Sequence, residues 1–202
     1  SLLFVSNGKD CERSGFNRLQ AHRPKRGDFR FSGVISGFVP PQAACRDMLT
    51  AARRLTRSLG LRGVNGIDFV LLQDKALFLE LNARPTASLE LYEAVLPEGG
   101  YLCHVNACRG RLTTIPETTD VCGLRVVYSA QPGHILDEEW PSWASDRPAA
   151  ASFLAAGQPL CTVHARAANE QDVERVLEQR ANAVLKPNAV LKRFVMDKEH
   201  AA

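Results

Sequence analysis

The chain has 202 residues, 45% hydrophobic and 23% charged, with a formal net charge of +3 at pH 7. That length suits one full core or two small domains, and the composition is that of a globular protein rather than a disordered or fibrous one. The small charge argues against a nucleic-acid binder on composition alone, and no apolar run approaches the roughly 20 residues that span a bilayer.

The start, SLLFVSNGKD, lacks the basic and then apolar segments of a secretory signal. It also lacks Met and enters a strand-like run at once, which reads as a piece of a longer chain. Six cysteines, at 11, 45, 103, 108, 122 and 161, form no C-x-x-C pair. Their scatter fits reduced thiols and a cytoplasmic location better than a disulfide framework. Cys103, His104 and Cys108 contain zinc-ligand types, but the second ligand pair of a tetrahedral site is missing.

In chain order, SLLFVSNG reads as a strand stopped at Asn7-Gly8. A loop-rich span follows, then DFRFSGVISGFV, which alternates enough for a strand pair. Pro40-Pro41 opens a helix, in which Cys45, Met48, Ala52, Leu55 and Leu59 recur at three- and four-residue steps. Gly60 is its natural stop. After the hairpin of residues 63–85 the pattern predicts a second helix over 86–96, a short one in YLCHVNACRGRL, and a strand in GLRVVYSA. A long loop then carries Trp140 and Trp143, expected to be buried locally. PLCTVHARA is a further strand. The last element is a helix over about 170–186 with Val173, Val176, Leu177, Ala181, Val184 and Leu185 on one face, capped by Asn169 and Asp172. Strands, hairpins and helices in this order predict an α+β fold with a mainly antiparallel sheet.

The hairpin GVNGIDFVLLQDKALFLELNARP carries the chemistry. Alternation puts Ile67, Phe69 and Leu71 with Leu77, Leu79 and Leu81 on one continuous buried face. A short turn centred on Asp74 then sets Asp68 opposite Glu80, with Asn82 two residues further along. Facing carboxylates have β-carbons about 5 Å apart and repel. One carboxyl is protonated, a basic side chain sits between them, or a divalent cation bridges them. Magnesium takes a few carboxylate or amide oxygens with water and phosphate oxygens, and Asp68, Glu80 and Asn82 offer that set. Arg84 could reach the same phosphates with its guanidinium fork. Acidic residues on a solvated face are the simpler alternative. Against it, the same face is expected to carry Val70, Leu72, Phe78 and Ala76, so it does not read as solvated.

The segment GLRGVNGIDFVLLQDKALFLELNARPTASLE resembles the metal-binding end of the ATP-grasp superfamily, in which a G-x-D-F strand leads through a hairpin to E-x-N-x-R. The resemblance implies that Asp68, Glu80 and Asn82 are metal ligands, that Asn82 and Arg84 contact the nucleotide, and that Arg84 is catalytic through the transferred phosphoryl group. Ala83 stands where many relatives have proline. More weakly, SLLFVSNG resembles the strand after the adenine-binding hinge, and the WPSWASDRP and GQPLCTVHA segments resemble the tail of carbamoyl-phosphate-synthetase-like members, a branch that includes tyramine–glutamate ligases.

The resemblance implies a C-terminal ATP-grasp lobe over 1–115 and a small α+β extension over 116–202. It also implies a missing N-terminal lobe of the same chain, ATP with magnesium or manganese, and ligation of a small carboxylate to an amine or thiol through an acyl phosphate. The rival classes are a non-catalytic nucleotide-sensing or assembly module and, more remotely, a nucleic-acid adaptor. The adaptor reading rests on Arg18, Arg23, Lys25, Arg26 and Arg30, among which aromatic residues are sparse. Homo-oligomerisation is left open, and no membrane partner is expected.

Overall fold

Leu2, Leu3, Phe4 and Val5 are four consecutive buried residues. Side chains alternate faces along a strand, so a strand buried on both sides must lie inside a layered structure. The computed structural model describes residues 1–21, 30–96, 98–116, 119–136, 139–186 and 191–193. Its elements in chain order are β1 (Leu2–Asn7), β2 (Cys11–Phe16), β3 (Arg18–Ala21), β4 (Phe31–Ile35), α1 (Gln42–Leu59), β5 (Arg62–Leu72), β6 (Lys75–Asn82), a 3-10 helix (Ala87–Tyr92) and α2 (Gly99–Cys108). They continue with β7 (Val121–Tyr128), β8 (Gly133–Ile135), β9 (Ala144–Ser145), β10 (Phe153–Leu154), β11 (Pro159–Ala167), α3 (Glu170–Leu185) and β12 (Leu191–Arg193).

The described strands form three antiparallel sheets, ordered β2-β1-β5-β6, β3-β4-β7-β11-β9 and β10-β8-β12. On one face of the first sheet Leu2, Phe4 and Ile67 pack with Met48 and Ala52 of α1. On its other face Leu3, Val5 and Val64 meet Leu91 and Tyr92, Cys103 and Ala107 of α2, and Val34 and Leu124 of the second sheet. The far side of the second sheet packs Ile35, Val127 and Val163 against Val173 and Leu177 of α3. Each such fully buried side chain stabilises the fold by about 1.5–3 kcal/mol relative to exposure.

The α+β class and the antiparallel pairing are as the sequence implies. Asn169 caps α3 by accepting a 2.9 Å hydrogen bond from the Asp172 amide, and Gly60 ends α1 in the left-handed conformation at φ 63°. Trp140 and Trp143 are partly buried against the α3 layer.

Several expectations change. Up to Ala21 the span after Asn7 is mostly strand rather than loop: β2 and β3 are polar, half-exposed strands, held by main-chain pairing to β1 and β4, and residues 22–29 lie outside the described residues. The strand pair expected in DFRFSGVISGFV is the single strand β4, whose partners are β3 and β7; residues 28 and 29 of that stretch lie outside the described residues. The 86–96 helix is a short 3-10 helix followed by turns that pack Leu91, Tyr92 and Leu96 inward. Leu59 is 61% exposed, and Thr56 completes the buried stripe of α1 instead. Leu185 likewise sits at the exposed edge of α3. The second sheet takes β3 and β4 from before position 116 and β7, β9 and β11 from after it.

Candidate functional site

The site grows from the β5–β6 register. Gly66 pairs with Asn82, Ile67 with Leu81 and Asp68 with Glu80. The ladder then slips: Phe69 pairs with Phe78, Val70 with Leu77 and Leu71 with Ala76, which leaves Leu79 as an extra residue on β6. Such a bulge bends the strand and shifts the phase of its side chains. The face expected from simple alternation therefore changes phase on β6 at the bulge. Ile67 is buried, and Phe69, Ala76 and Leu81 pack on the α1 side, but Leu77 and Leu79 are 45% and 58% exposed. Val70, Leu72 and Phe78, expected on a covered face, are exposed too, whereas Ala76 turns to the core. Val70, Leu72, Leu77, Phe78 and Leu79 thus leave an exposed apolar set on the hairpin.

Beside that surface Asp68, Glu80, Asn82 and Arg84 line one cavity of about 330 Å³, together with Thr86, Ser88, Leu19 and Phe31. A hydrogen-bonded chain runs along it. Glu80 Oε1 accepts from Asn82 Nδ2 at 3.0 Å, and Asn82 Oδ1 accepts from Arg84 Nη2 at 3.1 Å. Arg84 also donates from Nη1 to the Pro85 carbonyl at 3.2 Å. Asp68 is half-buried. Burial raises its carboxyl above the usual range, the hydrogen bond and negative charge of Glu80 raise it further, and the Ser1 ammonium and Arg84 oppose them. Removing a carboxylate from water beside a second one has this effect.

The donor set fits a hard divalent cation completed by water and phosphate oxygens. Two carboxylates and an amide oxygen line the same cavity, and burial makes Asp68 hold its proton more tightly. Among the described residues no group of three or more His, Cys, Asp or Glu side chains could hold a metal ion. A cation there would need the Asn82 amide oxygen and ligand oxygens to complete its coordination shell. Sequence pattern missed Thr86, Ser88, Leu19 and Phe31, which reach the cavity through tertiary packing rather than spacing.

Other polar groups are tied structurally. Arg18 ion-pairs with Glu170 and Glu174 of α3, and Arg30 donates to the Gly157 carbonyl at 2.7 Å and lies over the Tyr128 ring. Arg23, Lys25 and Arg26 of the basic run lie outside the described residues. His164 Nε2 is 2.7 Å from Ser145 Oγ and 3.7 Å from Glu90 Oε2. Serine and acid meet the same ring nitrogen, so no nucleophile–base–acid relay forms. A second cavity, about 290 Å³, lies between Arg13–Phe16 and Ser36–Val39. Its carboxylate, Asp120, is engaged by Arg166 at 2.7 Å, so it lacks the charge arrangement of the hairpin cavity.

The same fold occurs in a group of solved enzymes. Kluyveromyces lactis urea carboxylase is 18% identical over 89% of this chain and 17% of that one, with a TM-score of 0.71. Thermotoga maritima phosphoribosylamine–glycine ligase is 16% identical over 90% of this chain and 51% of that one, with a TM-score of 0.63. Bacillus licheniformis L-amino acid ligase is 10% identical over 90% and 49%, with a TM-score of 0.65. Residues 1–88 match the family model described as the ATP-grasp domain, and they include the whole carboxylate hairpin. Over those residues the chain is similar to the ATP-grasp family. The formate-dependent phosphoribosylglycinamide formyltransferase of a Synechococcus strain is 32% identical over 117 residues, 56% of this chain and 28% of that protein. The chain thus spans about a quarter of that relative and about half or less of these solved structures. No helix among the described residues is long and apolar enough to cross a membrane.

Proposed function

We propose that this chain is the nucleotide- and metal-holding part of an ATP-dependent, cytoplasmic carboxylate–amine (or carboxylate–thiol) ligase working through an acyl phosphate. The observation that carries the reading is the pairing of Asp68 with Glu80 at the mouth of a cavity whose neighbouring strand surface is apolar and open. A nucleotide needs both halves of that arrangement: carboxylates for its cations and a dry, flat surface for its base.

Glu80, Asp68 and Asn82 are the residues that would hold magnesium, and manganese fits the same donors. When bound, the metal neutralises phosphate charge and orients the group to be transferred. Arg84 presents two guanidinium nitrogens at the cavity rim, and trading its contact with Asn82 Oδ1 for phosphate oxygens would free that oxygen for the cation. Val70 and Leu79, exposed beside the carboxylates, would lie under the base. Phosphoryl transfer asks for positioning and charge neutralisation rather than a protein nucleophile, which suits a site without one. Residues 1–115 would form the nucleotide lobe and 116–202 the smaller extension, with the remaining lobe and the carboxylate and amine sites elsewhere in the parent protein.

The test is calorimetric titration of the chain with a non-hydrolysable ATP analogue, with and without magnesium, beside Glu80→Ala. Magnesium-dependent binding lost in the variant supports the site. Equal binding by both proteins removes it. Binding that persists while a chain carrying its upstream lobe turns over no ATP would favour the nucleotide-sensing alternative.

A further inference from the structure

The sequence groups Cys103, His104 and Cys108, and the fold separates them. Cys103 points into the core between the sheets, 2% exposed. His104 and Cys108, one helical turn apart on α2, meet at its outer end with Cys108 Sγ 3.6 Å from His104 Nε2. The opposite ring nitrogen is fixed, because His104 Nδ1 accepts a 3.1 Å hydrogen bond from the Val64 amide of β5. An acceptor cannot carry the proton, so the neutral ring holds it on Nε2, the nitrogen facing sulfur. The site is also built from the strand side. Gly63, at φ 80°, leaves room for the pair, since a β-carbon there would lie 2.6 Å from the imidazole and 2.9 Å from Cys108 Sγ. Arg62 adds a guanidinium that donates to the Cys108 carbonyl at 3.3 Å.

We propose that Cys108 is the chain's modification site, a surface thiol that His104 orients for exchange with low-molecular-weight disulfides. The Cys108 thiol gives its proton to solvent, and its sulfur attacks one sulfur of the disulfide. A new S–S bond forms as the old one breaks, and the departing thiolate takes up a proton. His104 Nε2, 3.6 Å away, fixes where the sulfur points during attack. The other thiols differ: Cys103 and Cys161 are buried, and Cys11, Cys45 and Cys122 are half-buried. This inference is independent of the ligase reading.

The test is limited reaction of the intact chain with glutathione disulfide, with the mixed disulfide mapped by peptide mass spectrometry. The first adduct should fall on Cys108. His104→Gln and His104→Leu should slow it by about fivefold, the size of one hydrogen bond to sulfur, relative to Cys45 in the same sample. That ratio separates a local effect from unfolding, which would expose all six thiols together. Adducts forming as fast on Cys45 or Cys11, or a Cys108 rate indifferent to both variants, would overturn the proposal.

Discussion

Asp68 and Glu80 are cross-strand partners on β5 and β6, placed at the last regular rung before the ladder slips at Leu79. Their juxtaposition is a cost that the fold bears, and with burial it raises the Asp68 carboxyl above its ordinary range.

The first expectation concerns Asp68→Asn. Burial and Glu80 raise the folded-state pKa of Asp68 above its ordinary value. Between the two values the folded state binds more proton than the unfolded one, so stability is present below the ordinary carboxylate range and lost as pH rises through the raised value. Denaturant unfolding across a pH series should show Asp68→Asn gaining on the wild type over that window. Magnesium should narrow the gap by stabilising the wild type alone. A gap that does not change with pH would contradict the electrostatic account.

Leu79→Ala separates stability from binding. With 58% of Leu79 exposed, its truncation should change unfolding free energy by no more than about 0.5 kcal/mol. Loss of apolar cover under a bound base should weaken ATP-analogue binding by about tenfold or more. Unchanged affinity in the same titration would move the base off this surface.

Gly33→Ala tests the seam between β4 and β7. A β-carbon at Gly33 would stand 2.3 Å from the Leu124 carbonyl oxygen and 3.1 Å from Arg125 Cα. Main chain on a central strand cannot step aside, so we expect a loss of about 3 kcal/mol in equilibrium unfolding. A loss below about 1 kcal/mol would show that the strands part easily.

Asn169→Ala removes the acceptor for the Asp172 amide at the start of α3. The expected cost is about 1 kcal/mol, read from the denaturation midpoint. Asn169→Ser, which keeps a capping oxygen, should recover most of it.

Legibility in the sequence followed how local each determinant is. The α3 cap, the stop at Gly60 and the pairing of Asp68 with Glu80 depend on residues close in sequence, and periodicity reveals them. β2 and β3 were illegible because CERSGF and RLQA have no apolar alternation, and neighbouring strands impose their conformation. The bulge was illegible because a run of apolar residues from Ala76 to Leu79 fits either phase equally well. Ser88, a buried residue of the cavity lining, is placed there by the 3-10 helix, which no longer-range sequence pattern specified.

The slip at Leu79 also divides β6 into two stretches with separate duties. Ala76, before the slip, packs toward α1, while Glu80 and Asn82, after it, line the cavity. Substitutions in the first stretch can accumulate without turning the Glu80 carboxylate, provided the residue count holds. Removing one residue would do the reverse: the remaining side chains would all survive, yet the strand would regain simple alternation and the two duties would fall out of step. For this hairpin, then, length is more tightly constrained than composition.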